Sequence, residues 1–230
     1  MLGRLETSFA RERRFSADLS HELRTPVAEL KTLSEVMLKQ QDLSPDIRQG
    51  FEDALAVARQ MESLVTVLLE MVRQEEGRGS LRLSEIDLEP FVGKVWKKFE
   101  TAAGQKQIHL MTVSPDEKMV LKTEPDLLAM ALGNLFDNAI TYSPSGSVVG
   151  IEFVQSSDGP CLTISNPTSE LTPADLSFIF ERFWRKDSAR SESNHFGIGL
   201  SLTRALCQRL GIYLTVSMAD GNIIRFRLHF

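Results

Sequence analysis

The chain has 230 residues, of which 42% are hydrophobic and 25% are charged, a composition that supports one or two folded domains and argues against dominant disorder. Its 26 basic and 31 acidic residues give a formal net charge of -5. They form no basic stripe, so nucleic-acid binding is disfavoured. Cys161 and Cys207 have no Cys-x-x-Cys spacing and are predicted to be reduced thiols of a cytosolic chain.

The first residues carry a helical pattern, with Leu2, Leu5 and Phe9 on one side. No run in the chain approaches the roughly 18 apolar residues that a membrane-spanning helix needs, and the start lacks the apolar centre of a signal peptide. We therefore expect a cytoplasmic piece of a longer protein whose membrane segment lies upstream.

Two amphipathic helices, joined by a short turn at residues 41–44, are predicted before a break at residues 77–80. Ser44 and Pro45 suit the N-cap and first residue of the second helix. A lone hairpin covers only one side of each apolar stripe, so two hairpins are expected to pair as a homodimeric four-helix bundle. The predicted seams are Leu19, Leu23, Pro26, Leu30, Leu33 and Met37, and Ile47, Phe51, Ala54, Ala58, Met61, Val65, Leu68 and Val72.

His21 is the chemically informative residue of the first helix. It lies about 200° around the helix from both Leu19 and Leu23, which places its imidazole on the solvent side. A neutral exposed imidazole has a ring lone pair that can attack phosphorus. The alternative interpretation is a polar residue on a solvated face.

The segment Phe15-Ser-Ala-Asp-Leu-Ser-His21-Glu22-Leu-Arg-Thr25-Pro26 resembles the phosphoacceptor box of sensor histidine kinases. The resemblance implies that His21 is phosphorylated, that Glu22 is its general base, and that Thr25 orients water in a phosphatase reaction. It also implies a partner, a response regulator whose receiver-domain aspartate takes the phosphoryl group.

After Gly79, short β-type runs alternate with helices, which is typical of an α/β domain. One predicted helix carries Asn134, Asn138 and Tyr142 four residues apart on one stripe. An amide oxygen can bind Mg²⁺ and an aromatic ring can stack on a base, although asparagines at this spacing are also common on solvated helices.

The stretch Leu132-Gly-Asn134-Leu-Phe-Asp-Asn138-Ala-Ile-Thr-Tyr142-Ser-Pro is similar to the asparagine box of the histidine kinase ATP-binding domain, which belongs to the gyrase-type ATPases. The resemblance assigns Asn138 to Mg²⁺, Tyr142 to stacking on adenine, and Asn134 to the first, catalytic polar position. Thr141 stands where a basic residue is frequent in the family. One phosphate contact is therefore expected to be missing or supplied elsewhere.

Two later stretches, residues 178–185 and 195–203, resemble the phenylalanine box and the second glycine box of the same family. The polar residues 186–194 between them suit a mobile lid over a triphosphate. A helix opening near Gly199 would point amide donors at phosphates, although paired glycines alone usually mark only a turn. The ATP contacts implied in this region are Phe180, Arg185, Lys186, Arg190, Gly197, Gly199 and Leu200.

The first glycine box departs most from the family pattern, because Asn166-Pro-Thr168-Ser-Glu170 replaces Asp-x-Gly-x-Gly. The family's aspartate accepts a hydrogen bond from the adenine amino group, and the Asn166 oxygen can accept the same bond without the charge. Losing the ionised acceptor would cost on the order of 1 kcal/mol. Thr168 and Glu170 would stiffen the loop. We expect weakened but retained ATP binding.

The matches follow the family's order from Arg11 to Phe230. The predicted fold is α+β: a helical hairpin forming a dimeric four-helix bundle over residues 1–76, a linker over 77–84, and an α/β sandwich ATP-binding domain of the gyrase/histidine kinase type over 85–230. Residues 1–10 are expected to end an upstream signal-relay helix.

The predicted function is autophosphorylation of His21 by ATP and Mg²⁺, followed by phosphotransfer to a response regulator and accompanied by a phosphatase activity. The chain would be the cytoplasmic portion of a bacterial inner-membrane sensor. Two alternatives stay open: a degenerate kinase with weak ATP binding that acts as a dimeric scaffold or phosphatase, and a nucleotide-hydrolysing motor of the gyrase-type group.

Overall fold

The computed structural model describes residues 25–40, 42–76, 81–115, 117–157, 159–169, 171–186, 197–219 and 222–230. The chain divides into two compact units, Met1–Ser80 and Leu81–Phe230. Among the described helices, none combines the length and the apolar character needed to cross a bilayer.

The described part of the first unit consists of two helices, α1 over residues 25–38 and α2 over Pro45–Glu76. The predicted start of α2 is confirmed, because the Ser44 carbonyl accepts from the Arg48 amide (2.9 Å) and the Ser44 hydroxyl accepts from the Ile47 amide (3.4 Å). The Arg48 guanidinium donates to the carbonyls of Leu38 (3.3 Å) and Gln40 (3.1 Å). One side chain of α2 thus satisfies acceptors at the end of α1.

Burial inside the first unit does not follow the predicted seam of α1. Val27 and Ser34, two turns apart, are buried, whereas Leu30 is 37% exposed and Leu33 is 56% exposed. The reason is that Val27 and Ser34 lie on one face of the helix, and the leucines fall beside it. In α2 the residues Leu55, Ala58 and Val65 are buried, and Ile47 is exposed. The single hairpin therefore leaves a substantial apolar surface uncovered.

The described strands of the second unit are β1 Ser84–Asp87, β2 His109–Val113, β3 Val120–Thr123, β4 Val148–Ser156, β5 Gly159–Pro167, β6 Tyr213–Ala219 and β7 Ile223–His229. Five of them form a sheet of order β2-β4-β5-β7-β6, in which only the β2–β4 pair is parallel among the described strands. A separate antiparallel pair is formed by β1 and β3. The helices are α3 Leu88–Trp96, α4 Glu100–Gln105, α5 Pro125–Tyr142 and α6 Gly199–Leu210, with 3₁₀ turns at Lys97–Phe99 and Pro173–Ser177.

Helices and sheet enclose one apolar core. Alternate residues of β4 are buried, among them Val149 and Ile151, while α5 contributes Phe136, which is fully buried. The rings of Trp96 and Phe136 meet edge to face with their centroids 5.1 Å apart, a favoured aromatic geometry. These two layers form an α/β sandwich, so the predicted α+β fold is confirmed.

Both cysteines are free and buried. Burial raises the pKa of the Cys207 thiol to about 12, which leaves it protonated at neutral pH and poorly reactive.

Candidate functional site

Helix α5 positions the predicted polar stripe. It begins at Pro125 after the N-cap Glu124 and buries its apolar face, so that Asn134, Asn138 and Tyr142 lie half-buried on another face. The amide nitrogen of Asn138 donates to the Asn134 carbonyl (2.8 Å). Because a carbonyl only accepts, this bond turns the Asn138 nitrogen toward the helix and its oxygen, Oδ1, to the opposite side.

The start of α6 lies against this stripe. The helix begins at Gly199, as predicted, and the Gly199 carbonyl accepts from the Asn134 amide (3.3 Å) and the Thr203 hydroxyl (2.9 Å). A Cβ on Gly199 would lie 3.6 Å from the Asn138 amide nitrogen. Leu200, the next residue, is half-buried. The structure therefore brings Asn134, Asn138 and the first turn of α6 together.

Gly197, which follows the predicted lid, is hydrogen-bonded to Phe183, which precedes it. Its carbonyl accepts from the Phe183 amide (2.9 Å), and its φ of 71° lies in the left-handed region. A Cβ there would meet the Trp184 oxygen at 2.6 Å and the Phe183 carbonyl carbon at 2.8 Å. Only glycine fits this position, since a side chain would be both strained and blocked.

Asn166 lies at the end of strand β5. Asn166 and Pro167 are the last residues of β5 and pair with Ile224 and Ile223 of β7. The Asn166 nitrogen donates to the Ser143 hydroxyl (3.2 Å) and to the Pro167 carbonyl (3.0 Å). Ser143 is the C-cap residue of α5. Asn166 is thus tied to the same helix that carries the polar stripe.

Two of the basic residues predicted to contact phosphates, Arg185 and Lys186, lie among the described residues. Arg185 is half-buried, while Lys186 forms an ion pair with Asp175 at 2.5 Å. Asp175 also accepts from the Thr172 amide (2.7 Å) and hydroxyl (2.6 Å). The Lys186 bond and then the Thr172 bonds lower the pKa of Asp175 to about 2. Lys186 therefore contacts a carboxylate at the start of the predicted lid.

Lys106 was missed by sequence reasoning. Its ammonium group donates to the carbonyls of Ile140 (3.0 Å) and Thr141 (2.7 Å), the last turn of α5. It thus places a positive charge beside Thr141, where the family often has a basic residue. No sequence signal could have found it, because Lys106 is far from α5 along the chain.

Phe180 packs on the core side of this region. Its ring lies edge to face with Phe226, with centroids 6.4 Å apart, and the Arg204 guanidinium lies 5.5 Å from its centre. Of the other predicted site residues, Thr25 is exposed on α1. His21, Glu22 and Arg190 lie outside the described residues.

Two family models match the chain in succession. The His Kinase A (phospho-acceptor) domain matches residues 11–77, and the histidine kinase-, DNA gyrase B- and HSP90-like ATPase matches residues 123–230. The chain belongs to the sensor histidine kinase family. This family consists of ATP-dependent protein-histidine kinases of two-component systems, as the sequence predicted. The first match contains His21, and the second contains the polar stripe of α5.

Individual relatives agree with this assignment. The chain is 32% identical over 196 residues to the sensor-like histidine kinase SenX3 of Mycobacterium tuberculosis, covering 85% of the chain and 48% of SenX3. It therefore spans about half the length of the curated relatives it matches. Among solved structures it is similar to full-length ShkA in complex with AMPPNP (TM-score 0.70, 21% identity, 94% of this chain and 45% of ShkA). It is also similar to the histidine kinase AdeS of Acinetobacter baumannii (TM-score 0.60, 22% identity, 91% and 97%). These likenesses show a shared fold.

Proposed function

We propose that the chain is the catalytic core of a sensor histidine kinase that moves the γ-phosphoryl group of ATP to His21 and then to an aspartate of a response regulator. The observation that carries this proposal is the convergence of Asn134, Asn138 and the first turn of α6. It occurs in a domain of the ATPase family. That domain follows a phosphoacceptor match that contains His21.

The donor set around α5 suits Mg²⁺ bound through a nucleotide. The described residues contain no group of three or more His, Cys, Asp or Glu side chains that could hold a metal. Mg²⁺ is commonly bound by one or two protein oxygens together with phosphates and water. The Oδ1 atom of Asn138, turned away from the Asn134 carbonyl, is the oxygen proposed for this role. The ion would offset charge on the phosphates.

The remaining contacts are proposed for the base and the phosphates. Tyr142 would stack on adenine, and Asn166 would accept from its amino group. The first-turn amides of α6 would donate to phosphate oxygens, and Arg185 would add positive charge. The ShkA structure, which contains AMPPNP, supports nucleotide binding by this fold. Phosphoryl transfer depends mainly on such positioning and charge stabilisation.

At the acceptor, a ring nitrogen of His21 is proposed to attack the γ-phosphorus in line, with ADP leaving. Glu22 would accept the proton from the other ring nitrogen. Thr25, exposed on α1, would orient water for the reverse task of removing the phosphoryl group from the regulator.

The chain is further proposed to act as a homodimer on the cytoplasmic side of a membrane. Leu30, Leu33 and Ile47 are exposed in the isolated unit, and a second copy would cover them in a four-helix bundle. The matched relatives are about twice as long as the chain, which leaves room for a membrane-anchored sensing region upstream.

Autophosphorylation with ATP labelled on the γ-phosphate tests the central proposal. The unmodified chain should acquire acid-labile label, and His21→Gln should acquire none. A labelled His21→Gln protein would contradict the assignment. Thr25→Ala is the matched control, because it should keep the autophosphorylation and lose only the phosphatase activity toward a phosphorylated regulator.

A degenerate kinase is the second candidate, favoured by one observation. Thr168 and Glu170 replace two glycines of the family pattern, and Thr168 is buried, with its amide bonded to the Asn222 carbonyl (2.7 Å). This candidate predicts no autophosphorylation with His21 intact and a persistent phosphatase activity.

A further inference from the structure

A buried polar cluster lies where the end of α5 meets the end of β5. Asn166 is 3% exposed and Ser143 is 4% exposed. The Asn166 nitrogen donates to the Ser143 hydroxyl (3.2 Å) and to the Pro167 carbonyl (3.0 Å), and the Ser143 hydroxyl donates to the same carbonyl (3.3 Å). Three groups therefore share three hydrogen bonds.

The directions of these bonds follow from the Pro167 carbonyl. A carbonyl only accepts, so both the Asn166 nitrogen and the Ser143 hydroxyl must donate to it. The Ser143 hydrogen is then committed, and the Ser143 oxygen is left to accept from Asn166. Turning the Asn166 amide around would place its oxygen against an acceptor at about 3 Å, the ordinary length of a hydrogen bond. The cluster thus holds the amide in one orientation, with Oδ1 on the side away from Pro167.

The orientation of this amide decides what it can recognise. At the position of the adenine amino group, which donates a hydrogen bond, guanine has a carbonyl oxygen, which accepts one. A base that lies on the Oδ1 side of the Asn166 amide would pair with it through the adenine amino group. Turned around, the amide would present its nitrogen to the guanine carbonyl oxygen.

We propose that Ser143 is a positioning residue that, together with the Pro167 carbonyl, sets selectivity for adenine over guanine nucleotides by fixing the Asn166 amide. This inference rests on the proposed function, since it requires the base to lie at Asn166. An aspartate would not need such a device, because both its oxygens accept in either orientation.

The first experiment compares the affinities of the full chain for ATP and GTP with Mg²⁺ present, by displacement of a fluorescent ATP analogue. Ser143→Ala should lower the ATP-to-GTP affinity ratio by about three- to tenfold, the size of one lost hydrogen bond. Ser143→Thr keeps the hydroxyl and should keep the ratio. Ser147→Ala is the matched control, because the half-buried Ser147 also donates from its hydroxyl to a carbonyl, that of Pro144 (2.5 Å), but is not bonded to Asn166.

A double-mutant cycle with Asn166→Asp makes the test specific. A carboxylate presents acceptors whichever way it turns, so Ser143→Ala should leave the ratio unchanged when it is combined with Asn166→Asp.

Two results would overturn the inference while leaving the proposed function standing. One is an equal loss of ATP and GTP affinity in Ser143→Ala, which would indicate a purely structural hydroxyl. The other is a loss of selectivity on Ser143→Ala that is the same with and without Asn166→Asp. If the unmodified chain bound neither nucleotide, the proposed function itself would fail.

Discussion

Gly197 illustrates how a single position constrains the proposed nucleotide site. An alanine there would combine a left-handed backbone with contacts of 2.6 and 2.8 Å to the Phe183–Trp184 backbone. We expect Gly197→Ala to lower the free energy of unfolding by about 2–4 kcal/mol, measured by urea denaturation.

Gly211→Ala is the control for this prediction. Gly211 has nearly the same φ of 74°, but among the described atoms none lies within 4 Å of a Cβ built there. It should cost only about 1–2 kcal/mol, the penalty of the left-handed conformation. Equal losses in the two variants would show that the close contact at Gly197 relaxes freely.

Asn138 is the residue on which metal dependence should turn. Asn138→Ala removes the proposed Mg²⁺ ligand, and calorimetry with a non-hydrolysable ATP analogue should show at least about tenfold weaker binding when Mg²⁺ is present. Binding measured in chelator should change little. Comparable losses with and without Mg²⁺ would argue that the side chain contacts the nucleotide directly.

The ion pair of Lys186 and Asp175 has a defined pH dependence. The Lys186 bond and then the Thr172 bonds lower the pKa of Asp175 from 3.8 to about 2. The stabilising effect of these bonds is therefore present above pH 4 and is lost as the pH falls toward 2. In Lys186→Met the pKa of Asp175 should rise back toward 3.8, as followed by carboxyl NMR. An unchanged pKa would mean that the Thr172 bonds alone account for the shift.

At the scale of elements, Lys106 stabilises the end of the helix that carries the site. It contacts two carbonyls at the negative end of the α5 dipole. Lys106→Met should lower the free energy of unfolding by about 1–3 kcal/mol, the range for hydrogen bonds to a charged group. The exposed Lys94 of α3 provides the control, because Lys94→Met should change stability by less than about 0.5 kcal/mol.

Local chemistry made several elements predictable. The Ser44-Pro45 pair and Pro125 mark where α2 and α5 begin, and the spacing of the asparagines predicted their common stripe. The contacts of Lys106 with α5 and of Asn166 with Ser143 join distant parts of the chain. They depend on strand order and register, which local patterns do not encode. The burial of Val27 and Ser34 within the single hairpin was not predicted, because the apolar residues of α1 lie on more than one face of the helix.

At the scale of the whole molecule, the apolar surface of the hairpin predicts assembly. Leu33→Gln should weaken the proposed dimer at least about tenfold, measured by sedimentation equilibrium, because burying the amide adds a desolvation cost. Met111→Gln is the matched control, since Met111 is also 56% exposed but lies on β2 of the other unit. A dimer unaffected by Leu33→Gln would place the interface elsewhere.

Helix α5 is one continuous rod of 18 residues, about 27 Å long, fastened to α6 through Asn134 and to β5 through Ser143. A ligand bound along α5 would contact the same rigid helix at both of its ends. A shift of α5 that improved the contacts at one end of the ligand would disrupt those at the other end. Changes in ligand contacts are therefore expected in the segments that pack against α5. The polar stripe of α5 can then keep the residues of the family pattern while residues 166–170 depart from the family's first glycine box. This chain shows that combination.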